Sequence, residues 1–168
     1  DALYPKQVAY RNRTVDEAYL RKHLKTKYGY IRWFWDAKKY NPSKKTYVWS
    51  DDAKKAIAYR PANDAHGMMK EKMLELERRG LNVKCGFLMP YHDALIFEMP
   101  AKGMERCIEL IRNVMEAPDP LLKNSVCPEG LSVKVDVKIG SNLGKEAMKK
   151  WETVKKNSAS SYIIFASF

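Results

Sequence analysis

The sequence predicts an α+β fold: an antiparallel sheet with helices packed on one face. Residues 131–139 alternate without a break. Leu131, Val133, Val135, Val137 and Ile139 point one way; Ser132, Lys134, Asp136 and Lys138 point the other. A sheet with one buried and one wet face produces that pattern. Two further apolar runs, 83–89 and 94–99, flank Pro90-Tyr91-His92-Asp93 and read as a β-hairpin. Residues 51–79 and 103–117 carry apolar side chains at helical spacing. Such helices bury their apolar stripe against a sheet as a second layer.

The elements follow in order. Residues 14–28 read as a helix, with Thr14 and Glu17 as a capping box. The aromatic stretch 30–35 suits a short strand, and Asn41-Pro42-Ser43 marks a loop. Ser50 and Asp51 offer an N-cap for a basic helix through Lys54, Lys55, Ala56, Ile57 and Ala58. Pro61 is expected to kink or interrupt it, because proline removes an N–H and clashes with the preceding turn. The helix resumes to about Arg79 and stops at Gly80. Ala65, Met69, Met73 and Leu76 share its inner face, a stripe that reads as core. Val83, Cys85, Phe87 and Met89 line one side of the first hairpin strand. Met104, Cys107, Ile108, Ile111 and Met115 form the inner face of the next helix, which Pro118 and Pro120 end. Residues 145–156 suggest a short basic helix; 158–168, Ser-rich and then apolar, have no assignment. The organisation read from this pass is 1–50, 51–157 and a tail 158–168.

The chain has 168 residues, a length within the range of one domain. It carries 31 Lys and Arg against 20 Asp and Glu, a net charge of +11. That excess favours polyanionic partners, above all nucleic acid. No apolar run approaches the ~20 residues of a membrane helix, and no helix here is both strongly basic and strongly apolar, so no membrane partner is expected. No signal-peptide pattern opens the chain. It begins at Asp1, and is expected to be a fragment, a processed product or a trimmed form. Cys85, Cys107 and Cys127 fit no zinc spacing and are odd in number. They read as reduced, mostly buried thiols of a cytoplasmic protein. His23, His66 and His92 form no ligand pair on a helix turn.

The sharpest chemical feature is Asp93 at the hairpin tip. A carboxylate on a tight turn is held rigidly and projects from the sheet. Mg²⁺ takes such oxygen ligands, one or two carboxylates together with substrate phosphates. The plain alternative is that Asp93 is a turn former, since Asp is common in turns.

The neighbouring residues extend this reading. Tyr91-His92-Asp93-Ala94-Leu95-Ile96-Phe97-Glu98-Met99-Pro100 resembles motif C of the family A DNA polymerases, the group that includes bacterial DNA polymerase I. That motif reads His-Asp-Glu, an apolar run, an acid and a proline. Upstream, 60–70 resembles the family's Met-Pro-x-Gln-Gly-Thr-Ala-Ala-Asp helix. Gly29-Tyr30-Ile31, basic residues and Tyr40-x-Pro42 resemble its Gly-Tyr-Val…Arg-Tyr-x-Pro segment, and Tyr4-Pro5-Lys6 fits the stretch before it. The strand ending at Ile139, with Gly140 and Asn142, resembles its last strand. The segments keep their order over about 140 residues, which gives the series its specificity.

The resemblance implies a palm-type sheet, a partial polymerase domain, and a set of roles. Asp93 is one of two catalytic metal-binding aspartates, with Mg²⁺ as cofactor, and His92 lies near the primer's 3′ end. Asn63 touches the template or primer backbone, and Lys55, at an Arg position of the family, holds primer or template phosphates; Lys54 and Arg60 join them as DNA-binding residues on the ground of charge. Partners are primer-template DNA and deoxynucleoside triphosphates, in a bacterial or phage-infected cell. A phage lineage is suggested by the departures: Ala94 stands where the family has Glu, Asn63 where it has Gln, and Asp64-Ala65-His66-Gly67 where it has Gly-Thr-Ala-Ala.

Two parts of the family's active site are not found. Motif A, Asp-x-Ser-x-x-Glu, carries the second aspartate, and motif B grips the nucleotide. Arg21-x₃-Lys25 followed by Tyr28-Gly29 is too short for motif B by four residues or more. The resemblance therefore places the chain after motif B and implies a complementary polymerase chain carrying motifs A and B. Two readings follow. One is the carboxyl-terminal palm part of a DNA-directed DNA polymerase in replication or repair, inactive alone. The other is a non-catalytic, polymerase-derived DNA-binding module.

Overall fold

A computed structural model of the chain describes residues 4–144, 147–151 and 161–167. It is an α+β structure with antiparallel sheets. The chain falls into two compact units, Asp1–Gly67 and Met68–Phe168.

The first unit opens with α1 (Pro5–Arg21), whose proline occupies the first turn. Proline suits that position, where its missing N–H would have no helical partner. Lys22 ends the helix in the left-handed region. The predicted start at Thr14 is therefore corrected. Thr14 is a buried mid-helix residue, and Glu17 reaches across to Arg60 instead of back to a cap. Two small hairpins follow. β1 (His23–Lys25) pairs with β2 (Ile31–Trp33), and β3 (Lys38–Asn41) with β4 (Thr46–Trp49). Ala18, Leu24, Phe34, Ala37, Ala56 and Tyr59 form the core of this unit.

α2 (Asp51–Arg78) gives its first turns to one unit and its last to the other. It runs through Pro61 as one helix, whereas the sequence predicted a kink or break there. Gly67 is needed on it: a Cβ there would sit 2.2 Å from Tyr28 Cδ2. Of the predicted inner stripe, Met69 and Leu76 are buried and Met73 packs against them, while Ala65 is exposed.

The second unit is built on one five-stranded antiparallel sheet, in the order β5–β6–β9–β7–β8. β5 (Phe87–Tyr91) and β6 (Ala94–Pro100) form the predicted hairpin. Its first arm is shorter than expected, because Leu81–Lys84 is a turn of helix, α3. Val83 is consequently 85% exposed instead of facing in. Gly86, at φ +62°, then swings the chain into β5, and a Cβ there would meet the Glu98 carbonyl oxygen at 1.8 Å.

α4 (Met104–Met115) matches its predicted inner face. Leu95, Phe97 and Met99 of β6 share one core with Ile108, Ile111 and Met115 of α4 and with Met69 and Leu76 of α2. The predicted strand 131–139 is reduced to β7 (Asp136–Gly140). The preceding residues are drawn to the end of α4: Ser132 Oγ donates to the Glu116 carbonyl, and the Val135 N–H to the Glu116 carboxylate at 3.1 Å. β8 is Lys149–Lys150, a strand where a helix was expected; the rest of the predicted segment 145–156, apart from 147–151, lies outside the described residues. The tail without a predicted place supplies β9 (Ser161–Ser167), paired between β6 and β7.

Cys85 is buried, and Cys107 and Cys127 are partly so; all three are free thiols. Burial and the neighbouring Cys107 push the Cys85 thiol up to about 12, so it stays protonated and unreactive. No helix of the described residues is long and apolar enough to cross a membrane.

Candidate functional site

His92 and Asp93 form a two-residue turn between β5 and β6, closed by the pair Tyr91↔Ala94. Such a tight hairpin demands positive φ at its centre. His92 supplies it, at φ 53°, a conformation that His adopts more readily than most residues. The Tyr91 ring packs edge-on against the imidazole, with centroids 4.5 Å apart, and also meets Phe165 of β9. Asp93 is exposed, and the next residue, Ala94, is fully buried. The carboxylate thus stands on a short turn whose flanks are fixed by the sheet.

On the face of the sheet beside this turn, Met89, Tyr91, Ile96, Lys138 and Phe165 border an open, mainly apolar hollow of about 510 Å³. A second carboxylate sits at the same end of the sheet. Ala94 pairs with Ser167, and Ser167 pairs with Asp136 of β7. Two strand spacings separate Asp136 from Ala94, roughly 10 Å, and Asp136 faces Lys150 at 3.5 Å. Among the described residues, no group of three or more His, Cys, Asp and Glu gathers where a metal could be held. Asp93 is a single exposed carboxylate, and the described residues do not gather further metal-binding groups around it.

The other predicted residues lie on α2 in the first unit. Lys54 and Lys55 are exposed on its first turns. Each pairs with an acid three residues earlier, Asp51 at 3.2 Å and Asp52 at 3.1 Å. Exposed pairs of this kind contribute little and open readily. The Lys55 hydrogen bond holds the Asp52 carboxyl below its ordinary value.

Arg60 is differently placed. Its guanidinium grips the Glu17 carboxylate with two hydrogen bonds of 2.8 Å and donates from Nε to the Lys25 carbonyl at 3.0 Å. The Glu17 bond raises the Arg60 pKa and the Arg60 bond lowers that of Glu17. This fork joins α1, β1 and α2. Asn63 donates its amide to the Tyr59 carbonyl one turn back, at 2.9 Å.

Sequence reasoning missed an aromatic cluster on the hairpins of the first unit. Trp33 and Trp35 stack at 5.3 Å with planes 8° apart, and His23 lies against Trp33 at 5.1 Å. Tyr40, Tyr47 and Tyr19 form a second set, and Arg11 covers Trp49. The signal was the density of aromatic and basic residues in 22–49; the strand pairing that joins them was not visible. No family model, curated protein or solved structure matches the chain.

Proposed function

We propose that this chain is the carboxyl-terminal palm part of a DNA-directed DNA polymerase resembling family A, contributing Asp93 to an active site that a second polypeptide completes. The observation that carries the reading is the placement of Asp93: an exposed carboxylate on a two-residue turn between paired strands, on a sheet whose core is shared with α2 and α4. A palm-type sheet uses such a turn to hold a charge rigidly where substrate phosphates arrive.

In this reading Asp93 supplies one negative charge at a fixed position, and His92 lies beside the primer end. Lys54 and Lys55 take up phosphates of primer-template DNA by exchanging their exposed acidic partners for the nucleic acid. Arg60 reaches a phosphate only by releasing Glu17, and Asn63 contacts the backbone from the same helix. Mg²⁺ would be held by Asp93 together with a carboxylate of the complementary chain, and there it would polarise the phosphoryl group of a deoxynucleoside triphosphate.

The test is primer extension. The chain alone, with Mg²⁺, primer-template DNA and deoxynucleotides, should add no nucleotide. Mixed with a polypeptide carrying motifs A and B, it should. Binding of primer-template without extension in that mixture would favour the second reading, a non-catalytic DNA-binding module, which Ala94 in place of the family's Glu also favours.

A further inference from the structure

Residues 22–49 contain eight Lys and Arg against one Asp, and three of the four tryptophans of the chain. A small unit would gain stability by burying its tryptophans, yet Trp33 and Trp35 are 56% and 65% exposed, and Tyr40 and Tyr47 are 55% and 56% exposed. The rings are organised. Trp33 and Trp35 lie face to face. Tyr40 and Tyr47, opposite each other in the β3–β4 register, meet edge-on at 5.5 Å, and Tyr47 continues to Tyr19 at 5.7 Å. Lys22 joins the two sets: its ammonium lies 4.5 Å from the Tyr19 ring centre and 3.4 Å from the Trp35 carbonyl oxygen.

Scattered exposed apolar residues need no explanation, but a contiguous cluster does. The surrounding charge selects the occupant. An acid-poor, lysine-rich rim suits a polyanion, and flat exposed rings suit unpaired bases, which stack on aromatic faces regardless of sequence. In a duplex the base faces are already stacked on one another. We infer that the β1–β4 hairpins of the first unit form a stacking platform for single-stranded nucleic acid. The platform belongs to the first unit alone, so it stands or falls separately from the role proposed for Asp93.

The experiment titrates the full chain, by tryptophan fluorescence, with oligothymidylate, with oligouridylate and with a blunt duplex of equal length. Oligothymidylate should quench the fluorescence and bind more tightly than the duplex, with affinity falling as salt rises. Equal binding of oligouridylate would assign the site to single strands of either sugar; weaker binding would assign it to thymidylate strands, through the deoxyribose or the 5-methyl group. Trp35→Ala and Tyr47→Ala should each weaken single-strand binding by about 5- to 150-fold, the range that one base–aromatic stack implies. Trp35→Phe should retain most of it, and unfolding curves should show both alanine variants folded. Equal affinity for duplex and single strand, or unchanged affinity in folded Trp35→Ala, overturns the inference. So does self-association that Trp35→Ala abolishes, which would make the face a contact between two copies.

Discussion

The two units solve different problems, the first with 67 residues and the second with 101. The second, from Met68 onward, gathers α2, α3, α4 and the inner face of one sheet into a single apolar core. The chemistry proposed for it is confined to a turn at the sheet's end. The first, up to Gly67, has a small core in which three alanines pack with Leu24, Phe34 and Tyr59. It leaves much of its aromatic surface in water and adds a buried-edge ion pair, Arg60 to Glu17, between its helices. Apolar area removed from water is the main source of stability. The second unit is therefore built for rigidity, and the first gives up burial for surface.

Core truncation should separate them most sharply. Phe97 is fully buried in the sheet core, and Phe97→Ala should cost about 3–5 kcal/mol. Hydrogen exchange should show β6 and β9 losing protection while 23–49 keep parental rates. Equal loss in both would make the chain one cooperative body and dissolve the comparison.

A smaller effect is expected at the Arg60 fork. Arg60→Ala takes both 2.8 Å hydrogen bonds from the partly buried Glu17 carboxylate, leaving it with Arg21 at 3.6 Å, and should cost about 1.5–3 kcal/mol in urea unfolding. Arg60→Lys should cost less, since it keeps the charge but not the paired geometry. The same pair sets a pH dependence. Arg60 holds Glu17 below its ordinary value, so the folded state binds that proton more weakly than the unfolded chain does. Its stabilisation is whole above an unfolded value of about 4.3 and is lost as pH falls through the lowered folded value. Glu17→Gln should flatten stability across that acid interval. At the other extreme, Trp33→Ala should change stability by no more than about 0.5 kcal/mol, because the side chain is largely in solvent. A larger loss would mean that the aromatic face serves the fold instead of a ligand.

The helices and the hairpin were legible because their signals are local. The spacing in α4 and the Pro-Tyr-His-Asp turn each specify their own structure within a few residues. What was not legible depends on distant partners. Nothing in 161–167 says that this apolar run enters the sheet between β6 and β7, since that register is set by strands far away in sequence. Residues 131–135 alternate like a strand, but Glu116 takes their polar groups. Thr14 and Glu17 fit a capping box, but Pro5 starts the helix nine residues earlier. At the candidate site, Asp93 and His92 were readable as a tip, whereas the engagement of Arg60 by Glu17 and the approach of Trp33, Trp35, Tyr40 and Tyr47 required the folded chain.

The central claim rests on Asp93, and single-turnover nucleotide addition tests it most directly. The chain is combined with the polypeptide carrying motifs A and B, and Asp93→Asn and His92→Ala are compared with the parent. Asn keeps the size and turn preference of Asp but removes its charge. Asp93→Asn should therefore lower the rate by several orders of magnitude while folding and DNA binding stay parental. His92→Ala should be milder. Near-parental addition by Asp93→Asn would contradict the account and reduce the hairpin tip to a turn.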